Sequence, residues 1–191
     1  RGEEALRDEF FCKRVCEQYG VTFLSFRADI PTLAQERKQG LEETAREERY
    51  RIFNKLILEH PEYKCIVTAH NANDNAETII FNLARGSGAN GIAGIKPRLG
   101  KIYRPLICST RDEILEYCKK NNISYVNDST NLDTDYTRNY IRHEIIPMLE
   151  KLNPSFLDSC TRMSDNVRDD ESYIKLECER VIEENKITRR V

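Results

Sequence analysis

Nowhere do these 191 residues hold an apolar run near the ~20 residues of a membrane-crossing helix, and no signal peptide is visible. C-x-x-C is missing, and with it the usual spacing of zinc ribbons and dithiol redox sites. An excess of base is missing too. With 30 Lys and Arg against 32 Asp and Glu, the net charge is −2. A uniformly basic surface is thereby excluded, and any nucleic-acid contact must come from local patches. Internal repeats and low-complexity segments are absent. The seven cysteines are odd in number and irregularly spaced, so they read as reduced, mostly buried thiols of a cytoplasmic protein. At 39% hydrophobic and 32% charged, the chain is expected to be one soluble domain with an appended piece.

What is present reads as strands alternating with helices. Helix formers over 2–19 end at Gly20, and the β-branched and aromatic run VTFLSF (21–26) predicts a strand. DIPTLAQERKQG is expected as a loop, and 41–59 as a helix stopped by Pro61. KCIVTAH (64–70) predicts a strand buried on both faces, and 74–85 a helix with Ala76, Ile79, Ile80 and Leu83 as its apolar stripe. KIYRPL (101–106) and ISYV (123–126) predict further strands. Thr110 and Glu113 form a capping box for a helix over 110–121. This alternation implies a parallel α/β sheet with right-handed crossovers. From about 137 onward only helical signals remain, interrupted near Asn153-Pro154.

The stretch TAHNANDNAETIIFNLARGSGANGIAG (68–94) stands out for its lone His70, the asparagines 71, 73 and 75, two acids and a glycine run. In open α/β sheets, ligands bind beyond the carboxyl ends of strands, where this stretch would lie. On a helical wheel Asp74 and Glu77 fall roughly 110–170° from the apolar stripe, at ~100° per residue. The pair is therefore expected on a face that stays out of the core, free to bind an ammonium group or a magnesium ion. The structural alternative is that the acids complement the helix dipole, an Asn caps the helix, and Gly86 ends it.

Taken in order, A-H-x-x-x-D-x-x-E-T, R-G-S-G-x-x-G-x-x-G, R-P-L, D-S-T-N-x-D and R-N-Y-I-R-H-E-I-I-P-M-L resemble the tRNA(Ile)-lysidine synthetase family. The likeness takes in LEETAREERYRIF (41–53) and covers roughly residues 1–155. It implies an ATP pyrophosphatase of the PP-loop superfamily, with a Rossmann-like parallel sheet of the adenine nucleotide α-hydrolase kind. It further implies activation of a wobble cytidine by ATP and attack by the amino group of free L-lysine. By position His70, Asp74 and Glu77 fall on the catalytic motif, with the acids holding lysine, and Arg49 joins them. Arg46, Arg85, Gly86, Ser87 and Gly88 fall on the nucleotide side. Arg138, Asn139 and Arg142 match R-N-x-x-R. Arg138 and Arg142 share one helical face as like charges, so an anion nearby is expected, with Asp135 and Glu144 as the structural alternative.

The sequence departs from the family at Asn71, Asn73 and Asn75, where a second His, an Asp and a Gln are usual. The S-G-G-x-D-S phosphate loop occurs nowhere in the 191 residues, so the sequence reads as a fragment, expected to be inactive alone. Residues 1–135 are expected as a truncated catalytic domain lacking its first strand, and 136–191 as a helical extension. The resemblance implies ATP and Mg2+ as cofactors. It implies tRNA(Ile) with a CAU anticodon and free L-lysine as partners, a homodimer being open and a membrane excluded. The rival readings are a tRNA-thiolating ATP pyrophosphatase, disfavoured by the missing C-x-x-C, and a non-catalytic tRNA-binding remnant.

Overall fold

The computed structural model describes residues 2–126 and 137–185. The D-S-T-N-x-D stretch and Asp135 lie outside them. The chain forms two compact units, one from residues up to 66 with 124–126, the other from 67–123 with 137–185.

In the first unit α1 (Gly2–Gln18) runs to Gly20, whose φ of 65° suits a residue without Cβ. Residues 21–26 are not a strand: the run carries β propensity but none of its residues joins a ladder. DIPTLAQERKQG is not a plain loop either. It contains α2 (Ile30–Arg37), with Pro31 in its first turn and Asp29 as N-cap, its Oδ1 accepting from Thr32 N–H at 3.3 Å. Asp before Pro is a helix-start signal in its own right. The third helix, α3 (Leu41–Glu59), has the bounds expected of it. It buries Thr44 and Glu48 and leaves Ile52, Phe53, Leu56 and Ile57 half-covered. Glu48 is taken by Arg51 and, at 3.3 Å, by Arg37. The Arg51 hydrogen bond and the two positive charges hold the Glu48 carboxyl below its usual range, against the opposing effect of burial.

The second unit is organised by helix packing. Short β1 (Ile66–Val67) leads into α4 (Ala72–Ala84), then α5 (Ala89–Ile92) and the strands β2 (Arg98–Leu99) and β3 (Ile102–Tyr103). After α6 (Arg111–Lys120), capped by Thr110 and Glu113 as the sequence indicated, the next described helix is α7 (Thr137–Tyr140). A wide π-helical turn, Ile141–Ile145, joins α7 to α8 (Ile146–Leu152), and the 29-residue α9 (Phe156–Glu184) follows the Asn153-Pro154 break. Pro147 has no N–H to give and its ring crowds the carbonyl four residues back, so it disturbs the regular ladder at the end of this wide turn. Ala76, Ile79, Ile141, Ile146 and Cys160 form the buried core, flanked by Ile80, Phe81, Ile145, Phe156 and Leu157. Burial pushes the Cys160 thiol up to about 11. The other cysteines are free as expected but mostly not buried: four are exposed and two half-covered.

The sheet has three strands in the order β1-β3-β2, and β2 pairs with β3 antiparallel, Arg98 opposite Tyr103. No full Rossmann-like parallel sheet is seen among the described residues. KCIVTAH shrinks to two residues, with Val67 exposed rather than buried on both faces, and ISYV forms no strand. The α4 stripe is also rotated from its expected position. Ala72, Asn75, Ala76 and Ile79 are buried while Leu83 is 62% exposed.

Candidate functional site

The three asparagines around Asp74 all act as ties in the backbone. Asn71 caps α4: its Oδ1 accepts from Asp74 N–H at 3.0 Å, while Asp74 Oδ2 accepts from Asn71 N–H at 3.0 Å. Asn73 Oδ1 accepts from Arg111 N–H at 2.8 Å, satisfying a free donor in the first turn of α6. Asn75, fully buried, accepts from Ile95 N–H at 2.7 Å and donates to Ser164 Oγ on α9 at 3.1 Å. Each Asn thus has a structural occupation that a hydrogen-bonding side chain of that length can fill.

Glu77 overturns the expectation that both acids avoid the core. Its side chain is 0% exposed and its carboxylate takes three guanidinium contacts. Arg142 donates Nε to Oε1 at 2.5 Å and Nη2 to Oε2 at 3.1 Å, the forked geometry that suits a planar carboxylate. Arg138 donates Nε to Oε2 at 3.0 Å. The helical wheel failed because it assumed a single covered face, whereas the turn Ile141–Ile145 lies along a second face of α4 and carries its own counter-charges. The anion expected beside Arg138 and Arg142 is therefore Glu77, with Asp74 reaching Arg142 at 3.4 Å. Of the two acids proposed as structural neutralisers, Asp135 lies outside the described residues. Burial lowers the Arg142 pKa, but the Glu77 hydrogen bond and the charges of Glu77 and Asp74 outweigh it and leave it raised. That guanidinium stays charged.

Asp74 differs from Glu77 in access, its side chain being 20% exposed. It is the carboxylate of the pair that a ligand ammonium can reach. Residues 70, 74, 77, 138 and 142 belong to the same unit, and four of them are joined by these ion pairs. His70 is half-buried with Nδ1 2.9 Å from Thr68 Oγ1, and Asn139 is half-buried on α7. In the loop after α4, Arg85 and Gly86 are exposed, Arg85 lying over the Phe81 ring at 5.1 Å, and Gly86 takes a φ of 73°. Ser87 is half-buried and Gly88 exposed. An exposed arginine followed by small-residue backbone suits the approach of an anion. In the first unit Arg49 lines a cavity of about 350 Å³ with Phe26, Ala28, Ile30, Ile52 and Phe53, whereas Arg46 lies over the Tyr50 ring.

The described residues hold no dedicated cluster of metal ligands. No three His, Cys, Asp or Glu side chains converge among them, and the carboxylates of Asp74 and Glu77 are already engaged by arginines. Two polar residues that the sequence did not single out also emerge, Ser164 and Arg168 of α9. Nothing in their flanking sequence distinguishes them from surface positions of a charged helix. Among the described residues no helix is long and apolar enough to cross a membrane.

Against known proteins, the PP-loop domain family matches residues 2–149. The chain is 41% identical over 169 residues to the tRNA(Ile)-lysidine synthase of Bacteroides thetaiotaomicron, covering 88% of this chain and 39% of that protein. It is 41% identical over 173 residues to the tRNA(Ile)-lysidine synthase of Thermosipho africanus, covering 91% and 40%. For that of Chlorobaculum tepidum the identity is 38% over 184 residues, with 96% and 55% covered. The chain thus spans about two fifths of the length of the first two relatives and about half of the third. The motifs from residue 68 to residue 149 lie inside the matched span, and the chain belongs to the PP-loop domain family, whose α/β nucleotide-binding fold its elements partly display.

Proposed function

We propose that this chain is part of a tRNA(Ile)-lysidine synthase, which ligates L-lysine to the wobble cytidine of tRNA(Ile) with a CAU anticodon at the expense of ATP. The observation that carries the reading is the joining of two distant motifs. The acids of A-H-x-x-x-D-x-x-E-T and the arginines of R-N-x-x-R close into one cluster, in a chain about 40% identical to proteins of that name. In this reading the cytidine O2 attacks the α-phosphate of ATP and pyrophosphate leaves. The lysine amino group then bonds to C2, the C2–O2 bond breaks, and AMP departs with that oxygen as the amine loses a proton. Arg85, Gly86, Ser87 and Gly88 serve the nucleotide. His70 and Asp74 face the amine, and Glu77 holds Arg138 and Arg142, the second of which reaches Asp74. Asn139 and the outer edge of Arg138 serve the tRNA.

The division of labour is tested by Asp74→Asn in an enzyme that contains this chain. Loss of one partner from a carboxylate–ammonium contact costs a few kcal/mol, so the lysine requirement should rise about ten-fold or more. Pyrophosphate release, which needs no amine, should suffer less. Equal loss of pyrophosphate release and lysidine formation over a lysine titration would remove Asp74 from the amine site. Residues 1–191 on their own, holding no S-G-G-x-D-S loop, should form no measurable lysidine. Product formed by this chain alone would refute that part of the reading.

A further inference from the structure

The glycine run after α4 is held at its far end by a polar clamp whose arginine, Arg168, lies in none of the motifs. Arg168, halfway along α9 and only 16% exposed, donates Nη1 to the Ala93 carbonyl at 2.6 Å and reaches the Ile95 carbonyl at 3.5 Å. Its other arm is fixed by Asp165, one turn earlier on the same helix. Between those two carbonyls sits Gly94, with a φ of 64°. A Cβ on Gly94 would lie 2.2 Å from Asn75 Oδ1, the atom that accepts from Ile95 N–H. Asn75 in turn donates to Ser164, one turn before Arg168. Ala93, Gly94 and Ile95 are therefore gripped from two helices at once.

The grip extends back to the exposed end of the loop. Ala93 N–H donates to the Ala89 carbonyl through α5, and Asn82 donates Nδ2 to the Gly91 carbonyl at 2.9 Å. Asn82 also accepts Ser87 N–H on its own carbonyl, and Gly91 approaches Ser87 so closely that a Cβ would meet Ser87 Cβ at 2.3 Å. A displacement at Ala93 thus has little slack to absorb it before Ser87. We infer that Arg168, acting with Asn75 through Gly94, is a positioning residue for the loop Arg85–Gly88. The ligand class is the nucleotide polyphosphate, which rests on the reading of that loop given above. A part-buried hydrogen-bonded network of this kind rigidifies what it touches, and misplacement of a phosphate-binding loop by a fraction of an ångström is felt mainly in nucleotide binding.

The experiment uses an enzyme containing this chain, with Arg168→Met breaking the clamp from α9 and Gly94→Ala straining it from the loop. ATP and lysine are titrated separately in the ligation assay, and ATP binding alone is followed by calorimetry. Both variants should raise KM for ATP by about ten-fold while KM for lysine stays within about two-fold. Arg168→Lys, which keeps one donor to Ala93, should recover part of the loss. Equal increases for both substrates would overturn the inference, as would an unchanged KM for ATP in a folded Arg168→Met enzyme. If the parent enzyme makes no lysidine, the proposed reaction fails on that result alone. Weaker ATP binding by both variants in calorimetry would then still support the clamp, and unchanged binding would overturn it.

Discussion

Replacing Glu77 by Gln removes one negative charge from beneath two guanidinium groups and leaves the volume of the side chain almost unchanged. Three nitrogen–oxygen contacts of 2.5, 3.0 and 3.1 Å then lose their ionic component. Breaking a buried ion pair by neutralising one partner costs roughly 3–5 kcal/mol, because the remaining charge has lost its hydration without compensation. Arg142 and Arg138 keep 21% and 31% of their side chains in contact with solvent, so water recovers part of that cost. The lower end, about 3 kcal/mol, is expected. For a chain of this size a loss of that order lowers Tm by about 6–12 °C. Thermal and urea unfolding of the parent, Glu77→Gln, Arg142→Met and the double variant form the assay. The double variant should be less destabilised than the sum of the two singles, since it leaves neither charge facing the other's vacancy. A Glu77→Gln loss below about 1 kcal/mol, the range of an exposed pair, would refute the claim that this acid holds the arginines.

The other predictions concern charge and protonation. Arg138→Ala in an enzyme that contains this chain should reduce the slope of log tRNA affinity against log salt by about one if its outer edge meets a phosphate. An unchanged slope in a folded variant would confine Arg138 to Glu77. The Cys160 thiol is held neutral up to about 11 in the folded state, against 9.0 for an ordinary thiol. Its contribution to stability is complete below about pH 9 and is lost as pH rises toward 11, because the unfolded chain releases that proton first. Urea unfolding from about pH 8 to 10 should therefore show a smaller loss of stability in Cys160→Ala than in the parent, and equal losses would contradict the burial argument.

Local rules in the sequence determined the elements that are stabilised locally. The bounds of α3 followed from its helix formers and Pro61, the end of α1 from Gly20, and the start of α6 from the Thr110–Glu113 box. The cap of α4 by Asn71 was among the structural alternatives and is present, with Asp74 returning the bond. Strands were less legible, since a segment such as VTFLSF becomes a strand only where a neighbour pairs with it, and the segment itself cannot say whether one is there. The motif order also carried the family, because it needs only residue identity and spacing. Periodicity could not foresee the burial of Glu77. It describes one helix against one apolar surface, whereas the face of this acid is decided by two arginines more than sixty residues away, one on α7 and one on the wide turn after it. That Ser164 and Arg168 pair with Asn75 and the backbone around Gly94 was invisible for the same reason. Its members look like ordinary polar and turn residues until α9 crosses α4 and α5, and only that packing makes their hydrogen bonds mutual and their exposure small.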